Sequence, residues 1–235
     1  MFFRQFLEAQ SSTWTYLLAD RETGDAVIID PVLDTIERDL GQIVDLGLTL
    51  RWTVETHVHA DHITAAAALK DRTGCRTVVC KHAGIGCVDR AVGDGDRIEF
   101  GRYGLTVIET PGHTNCSVSY VTDAGLHAPH RVFTGDALLI RGCGRTDFQQ
   151  GDAQALYRAV HARLYTLPDD TIVHPAHDYN GRTASTIGEE RRLNPRLTKD
   201  ETSFVALMAN LNLPRPKQID VAVPANLLCG RTPPA

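Results

Sequence analysis

Seven side chains of this 235-residue chain have the types and spacing to hold or steer a metal ion: His57, His59, Asp61, His62, His113, Asp136 and His177. The first four form the segment Thr56-His57-Val58-His59-Ala60-Asp61-His62. Imidazole nitrogens and carboxylate oxygens are the usual protein ligands of zinc and of first-row transition metals. Asp61 read alone is a helix cap, but capping explains one acid and none of the three histidines. His113 after Pro111-Gly112, and Asp136 after Gly135, are each readable as simple turn residues. What sets them apart is a shared position: His57, His113, Asp136 and His177 all follow runs that read as buried strands. Strand ends far apart in sequence can converge on one edge, where α/β proteins carry their chemistry.

The elements that must position these residues are legible from patterning. Trp14–Ala19 and Ala26–Asp30, joined by the turn Glu22-Thr23-Gly24-Asp25, predict a hairpin. Apolar residues at 36, 40, 43, 44 and 46 predict a helix over 34–46, with Asp34 as cap and Gly47 as stop. Leu50–Glu55 reads as the strand before the histidine segment and Ile63–Lys70 as the helix after it, with Asp61 and His62 opening that helix. Further strands are predicted at 76–80, 97–100, 105–109, 117–121, 131–134 and 171–173. Helices are predicted over 153–164, capped by Asp152, and near 184–193 and 199–211. The end of the chain, with Pro214, Pro216, Pro224, Pro233 and Pro234, predicts an irregular wrapped tail. Strand-rich halves that each carry helices point to an α/β (α+β) fold of two packed sheets with helices outside.

Composition narrows the function. Hydrophobic residues make up 43% and charged residues 23%, as in an ordinary globular protein. The net charge of -5 offers no basic surplus for a phosphate backbone, so nucleic acid is not an expected partner. No apolar run reaches the length of a membrane span, and Met1–Glu8 has neither a secretory nor a transit-peptide character, so the expected compartment is the cytoplasm. The six cysteines include no C-x-x-C pair, and they read as buried residues or free thiols. Cys116, close to His113, and Cys143, in a glycine-rich loop, read as inert packing.

The series His57-x-His59-x-Asp61-His62, His113, Asp136, His177 resembles the ligand series of the metallo-β-lactamase superfamily. Longer stretches resemble its persulfide dioxygenase (sulfur dioxygenase) family: Glu55–Thr64, Thr110–Thr114, Phe133–Gln149, Pro175–Tyr179 and Asn194–Thr198. The resemblance covers nearly the whole chain. It implies an αββα metallo-β-lactamase-like sandwich of two mixed sheets flanked by helices. The expected organisation is one domain over 1–235, with a short helical and Pro-rich extension from about 194. It also implies one Fe(II) per chain held by His57, His113 and Asp136, a set of two histidines and one carboxylate that leaves room for substrate and oxygen. His59, Asp61, His62 and His177 are then expected around the iron, hydrogen-bonded to its ligands. The implied reaction converts glutathione persulfide, O2 and water to sulfite and glutathione, in sulfide and persulfide detoxification. Members of that family often associate as dimers, so a homodimer is compatible with the resemblance.

Glutathione carries carboxylates, and Arg145 and Tyr179 are the residues expected to bind it. Arg145 is equally readable as the partner of Asp147 or Asp152, and Tyr179 as a packed aromatic. Arg191, Arg192 and Arg196 form a basic stretch, which a solvated helix face explains about as well as a role toward the substrate. A two-metal glutathione thioester hydrolase of the glyoxalase II type is the main alternative, because all seven residues of a two-metal site are present. A persulfide-binding module without turnover is the other.

Overall fold

The computed structural model describes residues 1–123 and 130–231. Its strands, in chain order, are β1 (Phe2–Glu8), β2 (Thr13–Ala19), β3 (Asp25–Ile29), β4 (Thr49–Val54), β5 (Arg76–Cys80) and β6 (Arg90–Val92). They continue with β7 (Arg97–Phe100), β8 (Tyr103–Glu109), β9 (Val118–Thr122), β10 (Arg131–Gly135), β11 (Ile172–Pro175) and β12 (Ser185–Thr186). The helices are α1 (Ile36–Asp45), α2 (Ala66–Thr73), α3 (Ala153–Ala159), α4 (Ile187–Leu193), α5 (Glu201–Ala209) and α6 (Ile219–Asn226). The chain divides into two compact units, one of Met1–Val92, Arg97–Gly104 and Arg215–Ala235, the other of Gly93–Asp96 and Leu105–Pro214.

In the first unit the sheet order is β1-β2-β3-β4-β5-β6. Strands β1, β2 and β3 are antiparallel neighbours, and β3 to β6 run parallel. Every residue of β2 is buried, Thr13 and Thr15 included. Leu17, Ala19, Ala26 and Ile28 form a core with Leu40 and Ile43 of α1 and Leu69 of α2. The ends of β3 and β4 and the start of β2 therefore lie on one sheet edge, because β2 runs against the other two. Asp30, Thr56 and Thr13 sit there.

The second sheet runs β12-β11-β10-β9-β8-β7. Strand β9 is antiparallel to both β8 and β10, and β10 is parallel to β11. Strands β8, β10 and β11 thus point the same way, so their C-terminal ends share an edge. His113, Asp136 and His177 follow those three ends. Beneath them Leu156, Val160 and Leu164 pack on Val132 and Val173, with Phe204 and Met208 of α5 alongside. Asp152 caps α3 by accepting from the amides of Gln154 and Ala155, as its position predicts.

Four expectations are corrected. Asp61 and His62 do not open a helix: α2 begins at Ala66. The backbone before it is taken by outside partners, with Leu33 N donating to Ile63 O and Ala65 N to Pro31 O, so no helical ladder forms there. The helix predicted from Asp34 starts at Ile36, after a 3-10 turn at Leu33–Thr35, and Asp34 gives no side-chain cap. The tail expected to be irregular contains α6 despite Pro224, while Pro233 and Pro234 lie outside the described residues. Cys87 and Cys229, expected as thiols, form a disulfide. Strands β1, β6 and β12 were not predicted: β6 and β12 are very short, and β1 is only partly buried. Among the described residues no helix is long and apolar enough to cross a membrane.

Candidate metal centre

The turn after β4 carries His57, His59 and His62, all buried, and Asp61 at intermediate exposure. Asp30, one residue past β3, organises it. Its carboxylate accepts from Thr56 N at 2.7 Å and from Thr56 Oγ1 at 2.8 Å. With its hydroxyl hydrogen so used, Thr56 Oγ1 accepts from His57 Nδ1 at 3.0 Å. The proton of His57 is thereby placed on Nδ1, and Nε2 holds the lone pair that a metal needs.

His59 Nε2 lies 3.1 Å from Asp30 Oδ1 and 3.6 Å from Glu55 Oε2. Burial opposes its charge, but Asp30, Asp61 and Glu55 outweigh burial and push its pKa up to about 9. Burial and the charge of Asp30 push the Glu55 carboxyl up as well. The three side chains form one buried cluster in which the neighbouring carboxylates favour the cationic form of His59. Glu55 also accepts from Thr64 Oγ1 at 2.6 Å. His62 Nδ1 is 3.0 Å from Asp61 Oδ2, and Thr13 Oγ1 lies 3.2 Å from both atoms.

In the second unit His113 Nδ1 donates to the carbonyl of Arg145 at 2.7 Å, which again leaves the lone pair on Nε2. That nitrogen is 3.5 Å from Asp136 Oδ2. The other oxygen of the carboxylate, Oδ1, accepts from His177 Nδ1 at 2.7 Å. Asp136 therefore presents one oxygen beside His113 while His177 occupies the other. Gly144 closes the arrangement: its amide donates to Asp136 O at 2.7 Å. A Cβ there would meet Asp136 O and His113 Nδ1 at 2.7 Å.

The loop from Ile140 is locked by the segment that starts at Asn194. Asn194 Nδ2 donates to Gly142 O at 2.9 Å and Arg196 Nη1 to Cys143 O at 2.9 Å. Arg141 pairs with Glu189 and Glu190. Arg196 is thus a loop clamp rather than part of a solvated face. Cys143 and Cys116 are both buried, as expected, and burial pushes the Cys143 thiol up to about 11 despite Arg196.

The two residues assigned to substrate differ in their surroundings. Tyr179 is 72% exposed and stacks parallel to His177 at 6.1 Å. Arg145 is engaged as the alternative reading foresaw: Nε and Nη2 donate to Asp147 at 2.6 and 2.7 Å, and other donors reach the carbonyls of Leu213 and Pro214. Its guanidinium also covers the Phe148 ring at 4.6 Å. Asp30 went unrecognised in the sequence, although an acid directly after a buried strand is the signal that marked Asp136.

The chain is similar to known proteins over most of its length. Residues 10–177 match the model of the metallo-beta-lactamase superfamily. The chain is 53% identical to the mitochondrial persulfide dioxygenase ETHE1 of Mus musculus, over 99% of this chain and 90% of that protein. It is 51% identical to the crystal structure of ETHE1 from Myxococcus xanthus, with a TM-score of 0.94 covering 98% of this chain and 100% of that one. A hydroxyacylglutathione hydrolase of Rhizobium meliloti is 36% identical over 77% of this chain and 69% of that protein. The fold, with two mixed sheets and flanking helices, is that of the superfamily, and the chain belongs to its persulfide dioxygenase family.

Proposed function

We propose that this chain is an Fe(II)-dependent dioxygenase that converts glutathione persulfide, O2 and water to glutathione and sulfite. The observation that carries the reading is the likeness to the mouse persulfide dioxygenase over 99% of the chain, a span that takes in both histidine–carboxylate clusters. The outer sulfur loses four electrons and O2 gains four, so no further reductant is needed: GSSH + O2 + H2O gives GSH + H2SO3.

His57 Nε2, His113 Nε2 and Asp136 Oδ2 are the atoms assigned to one iron per chain. Two imidazoles and one carboxylate fit Fe(II), and they leave positions for sulfur and oxygen. The iron, when bound, supplies the redox chemistry that lets O2 react with the persulfide. The residues supply the rest. Thr56 with Asp30, and the carbonyl of Arg145, fix the two histidine tautomers. His177 Nδ1 donates its own N–H to Asp136 Oδ1, which leaves Oδ2 as the oxygen for a single ion. His59, Asp61 and His62 supply a charged, hydrogen-bonded surround.

Tyr179 and Arg145 are assigned to glutathione. For Arg145 this requires a glutathione carboxylate to take the place of Asp147. The same reading takes residues 1–235 as one domain, acting in the cytoplasm and associating as a homodimer. The Cys87–Cys229 bridge bears on the compartment, because disulfides are rare in a reducing cytosol.

Oxygen uptake on adding glutathione persulfide tests the function. One sulfite and one glutathione for each O2 consumed are expected. Absence of uptake, with thiol released from S-lactoylglutathione, would replace the dioxygenase by a thioester hydrolase.

A further inference from the structure

We infer that Asn226, on the C-terminal helix, is a positioning residue for the metal-binding turn; this rests on reading residues 57–62 as part of a metal centre. Asn226 is 4% exposed at the end of α6. Its Oδ1 accepts from Thr64 N at 2.9 Å. Its Nδ2 donates to the carbonyls of His59 and His62, each at 2.9 Å. One amide thus satisfies a backbone donor and two backbone acceptors of the turn, all more than 160 residues upstream.

Only a carboxamide of this length does so. Aspartate keeps the acceptor but turns an oxygen toward two carbonyls, glutamine is one methylene too long, and an apolar residue leaves three backbone groups without this partner. Holding the carbonyls of residues 59 and 62 restrains the backbone between them, and so the directions in which His59, Asp61 and His62 leave it.

The helix is itself fastened beside the turn. Ala67 N donates to Cys229 O at 3.0 Å, and Arg231 pairs with Asp71 at 2.8 Å. Cys229 is bonded to Cys87. Gly230, at φ +87°, passes so close that a Cβ would meet Thr64 O at 2.1 Å. The end of the chain is therefore an anchor for the turn.

The test measures affinity for Fe(II), under anaerobic conditions, and for Zn(II), by competition with a chromogenic chelator. The full chain is compared with Asn226→Ala, Asn226→Asp and Ile219→Ala. Ile219 is a buried residue of α6, and its truncation loosens the helix without removing the amide. Loss of direct outer partners of metal ligands lowers affinity about 10–100-fold; Asn226 acts one contact further out, through the backbone of the turn, so the loss expected for Asn226→Ala is at the low end, about tenfold, with Asn226→Asp at least as weak. Ile219→Ala should stay within about twofold of the parent at an equal or larger drop in Tm. Parental affinity in Asn226→Ala, or an equal loss in Ile219→Ala, would overturn the inference. If the parent binds Zn(II) but not Fe(II), the iron reading fails while the Asn226 comparison is still decided on zinc.

Discussion

The two halves of the candidate centre are held by different means. In the first unit the histidines lie within six residues of sequence, and side chains brace them from several directions: Asp30, Thr56, Thr13 and Asn226. In the second unit the ligand-type residues are far apart in sequence, with Asp136 and His177 separated by 41 positions. Backbone groups pack directly on them there, beside the His177 side chain: the Arg145 carbonyl on His113 and the Gly144 amide on the Asp136 carbonyl. A side-chain network with several members degrades by degrees when one is removed. A backbone packed against a ligand has no slack, because a single added carbon must displace it.

That difference orders the expected effects. His113→Ala and Asp136→Ala should each lose iron and turnover together, by about a hundredfold or more; full iron content in either variant, read by metal analysis, would break the ligand assignment. Gly144→Ala should come next. It adds a carbon 2.7 Å from Asp136 O and from His113 Nδ1, and overpacking of this kind costs about 1–3 kcal/mol of stability. Its iron affinity should fall with its Tm, and unchanged values of both would show that the second half has slack after all.

Asp30→Asn should be milder, about tenfold in iron affinity, because Thr56 N and the rest of the bracing persist. An effect as large as that of Asp136→Ala would erase the contrast between the halves. Arg145→Ala should be smallest on the metal and visible instead as a raised KM for glutathione persulfide, since its backbone carbonyl, not its side chain, holds His113. An unchanged KM would return the guanidinium to its pairing with Asp147.

What could be read from sequence follows from how locally each feature is encoded. Apolar runs that stop at polar residues marked β4, β8, β10 and β11, and with them His57, His113, Asp136 and His177. The helix at Ala153 was legible because Asp152 caps it from the next position. Asn226 was not legible, because its three partners lie at residues 59, 62 and 64 and leave no trace near 226. The Cys87–Cys229 pair was hidden for the same reason, at a sequence separation of 142. Helix α6 was obscured by Pro224 and by its short length. The true start of α2 depended on backbone bonds to Pro31 and Leu33, which no spacing rule at residues 61–66 could supply.

The central claim is a single iron shared by His57, His113 and Asp136. Metal analysis of anaerobically purified protein tests it most directly. One iron per chain in the parent, and none in His57→Ala or His113→Ala, is the predicted result. Two metal ions per chain in the parent, with zinc as the resident metal, would contradict it.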